Sequence, residues 1–509
     1  MRSKWFAILA VVAVPMVLAA LQGCATNPAR GGRTFTGGLS TAEEIRIGRD
    51  SYPQIIAQFG GEYGSPTLRK YVDSIGQFLA QTSERHDLTY KFTILNSDMV
   101  NAFAMPGGYI YVSRGLLALA DNEAQLAAVL AHELGHITAL HHAERHGQGM
   151  LANLLLTGAG ILAGVAAPSA QRGVMQAGQG GLSAVLSSFS RENEFEADDL
   201  GLRYMIRARY DPFAMSSFLR KLRNHSRLEA KLRGQSPDKI DKSNYLATHP
   251  APLERVDRAA RRASATKLPG PSAPIVGQDT YLSKIDGILY GADPKGVIID
   301  GRIFTHPVSR FRFEAPEGFR LINSPKSVIG IGPQGSQFIF DRARKPGRGP
   351  LSNYLTQIWA RNTRLDDIQS ITINGMDAAT GTARVSGRGG AIDLRLVAIR
   401  YDSRTIYRFL FLTRPNLTRR LSLPLRRATY SFRRLSEDEA RNIQVQRISV
   451  IRTRKGDSQN SLARRMDIPK LRIERLRTLN GLGPSDRLMP ERPIKLIQSR
   501  PIARRTQGS

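Results

Sequence analysis

One pentapeptide constrains this 509-residue chain more than any other feature: His132-Glu133-Leu134-Gly135-His136. It lies inside the stretch Ala124 to Arg145, which reads as a helix. Asp121 or Asn122 is placed to cap its start and Gly147 to end it, while Leu126, Val129, Leu130, Leu134 and Ile137 give it an apolar side. Residues four apart on a helix are separated by about 40° around the axis, so both imidazoles can point at one metal ion with Glu133 projecting beside them. Zinc held in this way acidifies water toward neutrality, and a neighbouring carboxylate can take the proton. The spacing therefore implies a hydrolytic site with one Zn2+ per chain.

A catalytic zinc ion needs three protein ligands and one open position. His142 offers a metzincin-like spacing, His132-Glu-x-x-His136-x5-His142, but that pattern turns the chain at a glycine after the second histidine. Ala139 stands there, so the helix is expected to continue and to carry His142 about 240° round from His136. His141, His142 and His146 then read as surface residues or as supports for the ligands. Downstream, Ser190-Arg191-Glu192-Asn193-Glu194-Phe195-Glu196-Ala197-Asp198 supplies carboxylates. Three glutamates compete there, and helical geometry alone does not choose among them. Glu194 and Asp198 share one face, so Glu194 can bind metal while Asp198 orients a ligand histidine through its free ring N–H. An exposed acidic helix face is the plain alternative.

These stretches, with Asn101-Ala-Phe-Ala-Met-Pro-Gly-Gly-Tyr-Ile-Tyr-Val112 and Thr248-His249-Pro250, resemble a known family over about residues 40–265. It is the group of zinc peptidases that holds the CAAX prenyl proteases, HtpX and the periplasmic BepA-like enzymes. The resemblance implies a gluzincin fold, Glu194 as the third zinc ligand and Asp198 as the carboxylate behind a ligand. Asn101 to Val112 then becomes either a strand edge that an extended substrate joins by backbone hydrogen bonds, or an ordinary core hairpin. His249 has three readings. It can cover the open zinc position and keep the enzyme latent, stabilise the oxyanion of the tetrahedral intermediate, or simply belong to a structural loop. Arg255 is a further candidate for the oxyanion.

The N-terminus reads as an export signal. Arg2 and Lys4 precede the uncharged run Trp5 to Leu21, which ends in Leu21-Gln22-Gly23-Cys24, similar to a bacterial lipobox around the sole cysteine. Residues 1–23 are expected to be a signal peptide and 24–40 a lipid-anchored tether, with Ala25 leaning toward the outer membrane by the same resemblance. Residues 41–265 are the expected peptidase domain. They include helices at Thr41 to Phe59 and Thr67 to Thr82 and strands at Tyr90 to Leu95 and Tyr109 to Val112. Met150 to Ala167 is an uncharged, mostly apolar run near the lower limit for a transmembrane helix, but Asn153, Gly158, Gly160 and Gly164 interrupt it, so it reads as a lid or packing helix instead. Ala170 to Ser190 reads as a connection.

A linker rich in proline, 266–280, leads to a domain at 281–435 with strand-like stretches, α+β in character and of unassigned role. A small segment, 446–497, resembles a LysM module in Arg454-Lys455-Gly456-Asp457-Ser458, in Leu479-Asn480-Gly481-Leu482 and in its closing Pro493-Ile494-Lys495-Leu496-Ile497. The resemblance implies peptidoglycan as a partner; a small basic domain with no sugar affinity is the alternative. Net charge is +30, and residues 301–509 carry 41 of the 73 basic residues against 16 of the 43 acidic ones. Such a field favours anionic surfaces. Nucleic acid is not expected, because it conflicts with export.

The expected fold class is thus α+β: a mainly helical gluzincin-type peptidase domain with a small sheet, an α+β domain and a LysM-like domain. The expected function is a zinc endopeptidase acting on extended or misfolded proteins of the bacterial envelope. In it His132, His136 and Glu194 hold the metal, and Glu133, Asp198 and His249 serve catalysis. A periplasmic lipoprotein is expected, anchored to the membrane through Cys24. A zinc-bearing chaperone or a cell-wall-binding adaptor shares the same motifs.

Overall fold

The computed structural model describes residues 23–150, 189–238, 249, 253–268, 270–291, 293, 296–324, 327–345, 347–387 and 390–502. The apolar run Trp5 to Leu21, the lid-helix stretch 151–167 and the connection 170–188 lie outside them. Among the described residues no helix is long and apolar enough to cross a membrane. The chain forms two compact units, one running to Gly291 and taking in Gln446–Gln498, the other formed by Ala292–Val445 with the residues from Ser499.

The first unit begins with a ribbon, Cys24–Thr26 paired with Arg33–Phe35. The tether expected at 24–40 is therefore folded at its start: Asn27 is fully buried and donates to the Ala139 carbonyl at 2.8 Å. Polar bonds rather than apolar burial hold this stretch, and composition does not reveal them. Helix α1 (Thr41–Gln58) starts at a capping box between Ser40 and Glu43, and α2 (Pro66–Ala80) starts at Ser65 with proline in its first turn. A three-stranded sheet follows in the order β1-β3-β2, with β1 (Lys91–Leu95) parallel to β3 (Tyr109–Ser113) and β2 (Ala102–Met105) antiparallel to it at one edge. The β2–β3 turn needs Gly107, because φ is +79° and a Cβ there would lie 2.5 Å from Ile45 Cα.

Helix α3 (Arg114–Leu119) leads into α4 (Glu123–Thr138), whose cap is Asn122 accepting from the Gln125 N–H. Leu126, Leu130 and Leu134 are fully buried, each worth about 1.5–3 kcal/mol of burial. Helix α4 ends at Thr138, and the chain turns through Leu140 at φ +60° before residues 141–150 resume a helix. The uninterrupted helix expected through Ala139 is thus corrected. A left-handed leucine costs about 1–2 kcal/mol, and the Asn27 bond to the Ala139 carbonyl is among the contacts at this turn. Helices α5 (Arg191–Arg207), α6 (Phe213–Leu232), α7 (Leu253–Ser264) and α8 (Gln278–Ile285) complete this part.

Two boundaries differ from those read in the sequence. Tyr281, Leu282 and Ile285 of α8 are buried in the core of the first unit, so the second unit starts near 292 rather than 281. The segment 446–497 likewise stands in the first unit and not apart from it. Its elements are β4 (Gln444–Arg452), α9 (Gln459–Arg464), α10 (Arg472–Asn480) and β5 (Pro493–Pro501), with β4 and β5 paired. Ile448, Leu462, Leu476, Leu479 and Leu496 join the same apolar core as α4 and α6. Backbone bonds from Gly287 and Tyr290 to the carbonyls of Ile448 and Gln446, both 2.8 Å, stitch the two stretches together.

The second unit is built on an antiparallel seven-stranded sheet in the order 366–373, 376–387, 390–402, 405–413, 337–342, 327–331, 320–324. Phe313, Phe338, Phe409 and Phe432 sit in its core with the helix Pro415–Tyr430. This is an α+β arrangement.

Candidate active site

Two helices make the site, and glycine sets how near they come. A Cβ on Gly135 of α4 would lie 2.8 Å from the Ala197 carbonyl oxygen of α5, and one on Gly201 of α5 would lie 3.0 Å from the His132 backbone nitrogen. With hydrogen at both places the helices pack closely enough for Glu194 of α5 to reach the histidines of α4. Ser190 caps α5 by accepting from the Asn193 N–H, which points the first buried turn at the site.

His132, His136, Glu194 and His249 bring one donor atom each to within 4.8 Å of one another. Individual separations run from 2.8 Å (His249 Nδ1 to Glu194 Oε1) through 3.1 Å (His132 Nε2 to His136 Nε2) to 3.5 Å (His136 Nε2 to Glu194 Oε1). Donors bonded to zinc at about 2.0–2.1 Å in a tetrahedron stand roughly 3.3 Å apart, so the set fits zinc in both spacing and chemistry. Of the three competing glutamates, Glu192 is exposed, Glu196 faces His141 and Arg30, and Glu194 alone is among the four.

Around these donors the partners are arranged in order. His132 Nδ1 lies 2.9 Å from Asp198 Oδ1. Arg255 donates to both Asp198 oxygens at 2.8 Å and pairs with Glu194. Its guanidinium therefore pairs with one donor carboxylate, Glu194, and with Asp198 behind His132. Burial raises the Glu194 and Asp198 carboxyls, but the charges of His249 and Arg255 at the first and of Arg255 at the second outweigh it, so both are held below the usual range. Glu133 is 2 % exposed; Oε1 lies 3.5 Å from His249 Nε2, while Oε2 is buried with no hydrogen-bond partner among the described residues.

The turn at Leu140 has a consequence that helical spacing concealed. It brings His141 Nδ1 to 2.8 Å from His136 Nδ1, and His141 Nε2 to 3.2 Å from Glu196, which pairs with Arg30 at 2.8 Å. For His136 to offer Nε2 to a metal, its proton must sit on Nδ1 and be donated to His141 Nδ1. The His141 proton then sits on Nε2, facing the carboxylate. The chain Arg30–Glu196–His141–His136 thus fixes a tautomer. Replacing His141 by alanine should weaken zinc affinity about 10–100-fold with the fold kept. Competition against a chromophoric chelator reads this, and unchanged affinity would reduce the contact to packing. His142 does not join the donors; burial and the Arg145 charge push it down to about 3, and it packs edge-on against Phe189. Phe189 also stacks on His136 with ring centres 4.0 Å apart.

A cavity of about 550 Å³ opens beside these groups. Met99, Asn101 and Ala102 at the β2 edge line one side, with His132, Glu133 and His249 at its base.

Residues 66–263 match Peptidase family M48. The chain is 35 % identical over 266 residues to the beta-barrel assembly-enhancing protease of Yersinia pestis, covering 50 % of each chain. It is 32 % identical over 249 residues to the protein of that name from Escherichia coli K12, covering 48 % of each. Similarity to the mitochondrial metalloendopeptidase OMA1 of Schizosaccharomyces pombe is 29 % over 217 residues, 42 % of this chain and 59 % of that one. The chain spans about half the length of the beta-barrel assembly-enhancing proteases it matches. Residues 66–263, which carry the zinc-fitting donors His132, His136 and Glu194, are thus similar to peptidase family M48.

Proposed function

We propose that this protein is a zinc-dependent endopeptidase that hydrolyses peptide bonds of extended or misfolded proteins in the bacterial cell envelope. The observation that carries the reading is the convergence of the His132, His136 and Glu194 donors beside a buried oxygen of Glu133 that has no hydrogen-bond partner among the described residues. Zinc in that set would supply Lewis acidity, acidifying a water and polarising the scissile carbonyl. Glu133 accepts the proton of the attacking water at its carboxylate and passes it to the leaving amine. Asp198 holds the ring of His132, and Arg255 balances the carboxylates of Glu194 and Asp198.

His249 has its Nδ1 2.8 Å from Glu194 and its Nε2 3.5 Å from Glu133, in the space where water and substrate carbonyl meet the site. We assign it a covering role: the resting enzyme is held latent until His249 leaves this position. The β2 edge gives an extended polypeptide a strand to join, which favours unfolded substrates.

Placement in the periplasm, with lipidated Cys24 in the outer membrane, is supported by the N-terminal pattern. The ribbon that starts at Cys24 is tied to the site through Asn27 and Arg30, so such an anchor would hold the peptidase close to the membrane surface. Peptidoglycan binding by the LysM-like segment belongs to the same reading of the envelope.

Cleavage of denatured casein by the mature protein, with new termini mapped by mass spectrometry, tests the function. Internal cuts by the wild type, made several-fold faster by His249→Ala, are expected. No cuts by either protein at full zinc occupancy would overturn the peptidase reading, and slower cutting by His249→Ala would overturn the covering role.

A further inference from the structure

The cavity at the site has a wall that lies outside residues 66–263. Past His132 and Glu133 its lining passes along Met215, Phe218 and Leu222 of α6 and reaches Arg475, Thr478 and Leu479 of α10. Helix α10 is firmly seated there. The Lys221 ammonium, 3 % exposed, donates to the Leu479 carbonyl at 2.9 Å, and Asn480 exchanges bonds with the Lys495 backbone at 2.7 and 2.9 Å. Lys495, 1 % exposed, donates to the carbonyls of Ala118, Leu119 and Ala120 at the end of α3. A module held by a buried ammonium and by shared core does not swing away as a tail.

Resting on the peptidase reading above, we propose that α10 is one wall of the substrate cleft, and that Thr478 and Leu479 help to select a large apolar residue beside the scissile bond. Residues 446–498 are then a specificity element of the enzyme. The cavity is large enough to take such a side chain with its neighbours, and Met215, Phe218, Leu219, Leu222 and Leu479 give this part of the lining an apolar surface. Arg475 also lines the cavity, with Nη1 3.3 Å from the Tyr290 hydroxyl, and its buried Nε has no hydrogen-bond partner among the described residues, a donor available to a substrate carbonyl.

The test uses the full mature chain loaded with zinc. Wild type, Thr478→Trp and Arg454→Glu are compared by casein cut-site mapping and by calorimetric binding of a peptide hydroxamate carrying an isobutyl side chain. Arg454 is exposed on the same module and does not line the cavity. Thr478→Trp should lose leucine- and phenylalanine-directed cuts and hydroxamate affinity by about 10–200-fold, the range expected when an apolar pocket is altered. Arg454→Glu should keep both.

An unchanged cut pattern and affinity in a folded Thr478→Trp would overturn the proposal, and so would an equal change in Arg454→Glu. Should tryptophan unfold the chain, Thr478→Leu gives the same reading with a smaller change. Failure of the peptidase reading is distinct: the wild type would then make no Glu133-dependent cuts, while hydroxamate affinity would still report on the wall.

Discussion

Glu133→Gln should abolish cleavage, lowering kcat/KM at least about 10²–10⁴-fold, while the protein keeps its zinc and its fold. The substitution is nearly isosteric, so the packing of α4 is untouched. It removes a carboxylate beside the donors that is neither among them nor tied up behind them: Glu194 faces His132 and His136, and Asp198 is paired with His132 Nδ1 and Arg255. Glutamine cannot accept the proton of an attacking water, and its amide would place a donor where an acceptor is needed. Zinc content by mass spectrometry, together with cleavage rate, checks this. Full loss of cleavage with zinc retained assigns the base. Retained cleavage would move the proton transfer elsewhere, and His249, with Nε2 3.5 Å from Glu133, would become the first group to examine. A variant that still binds unfolded protein without cutting it would also serve to trap natural substrates.

Lys495→Met should destabilise the first unit by about 3–5 kcal/mol, because one partner of a buried charge cluster is removed. Lys495 Nζ is 3.1 Å from Asp121, which also pairs with Lys221. Burial alone would raise the Asp121 carboxyl; the charges of Lys221 and Lys495 outweigh it and hold the group below its ordinary value. Methionine keeps the apolar stem but leaves three carbonyls at the end of α3 and part of the Asp121 charge without their cation. Thermal unfolding should shift downward by roughly 2–4 °C per kcal/mol in a unit of this size, with stretches 287–290 and 446–448 losing protection from hydrogen exchange early. A change below about 1 kcal/mol would mean that the bonds to the α3 carbonyls contribute little to holding the module.

The legible and illegible parts of this chain differ for physical reasons. The two histidines and Glu133 were readable because helical spacing is local, and α4 carries clear capping and apolar signals. Glu194 was not separable from Glu192 and Glu196 by helix geometry, because the choice depends on how α5 lies against α4. That closeness rests on hydrogen at Gly135 and Gly201, two residues that resemble ordinary helix interruptions in the sequence. The break after Thr138 carries no glycine or proline, and its left-handed residue is a leucine, so the approach of His141 to His136 had no local signal. The same holds for residues 24–36, where Asn27 and Arg30 act across more than a hundred residues of sequence. Lys495 reads as surface charge in a basic tail, and only the α3 carbonyls reveal why a lysine is buried there.

In the proposed reading, hydrolysis depends on one zinc ion held by His132, His136 and Glu194. Stripping the mature protein with chelator and titrating zinc back while following casein cleavage tests it most directly. Activity that rises in proportion to zinc and breaks at one equivalent per chain, with no rise in His136→Ala, is the predicted result. Cleavage that survives stripping, or that returns equally in His136→Ala, would show that hydrolysis does not depend on this zinc site.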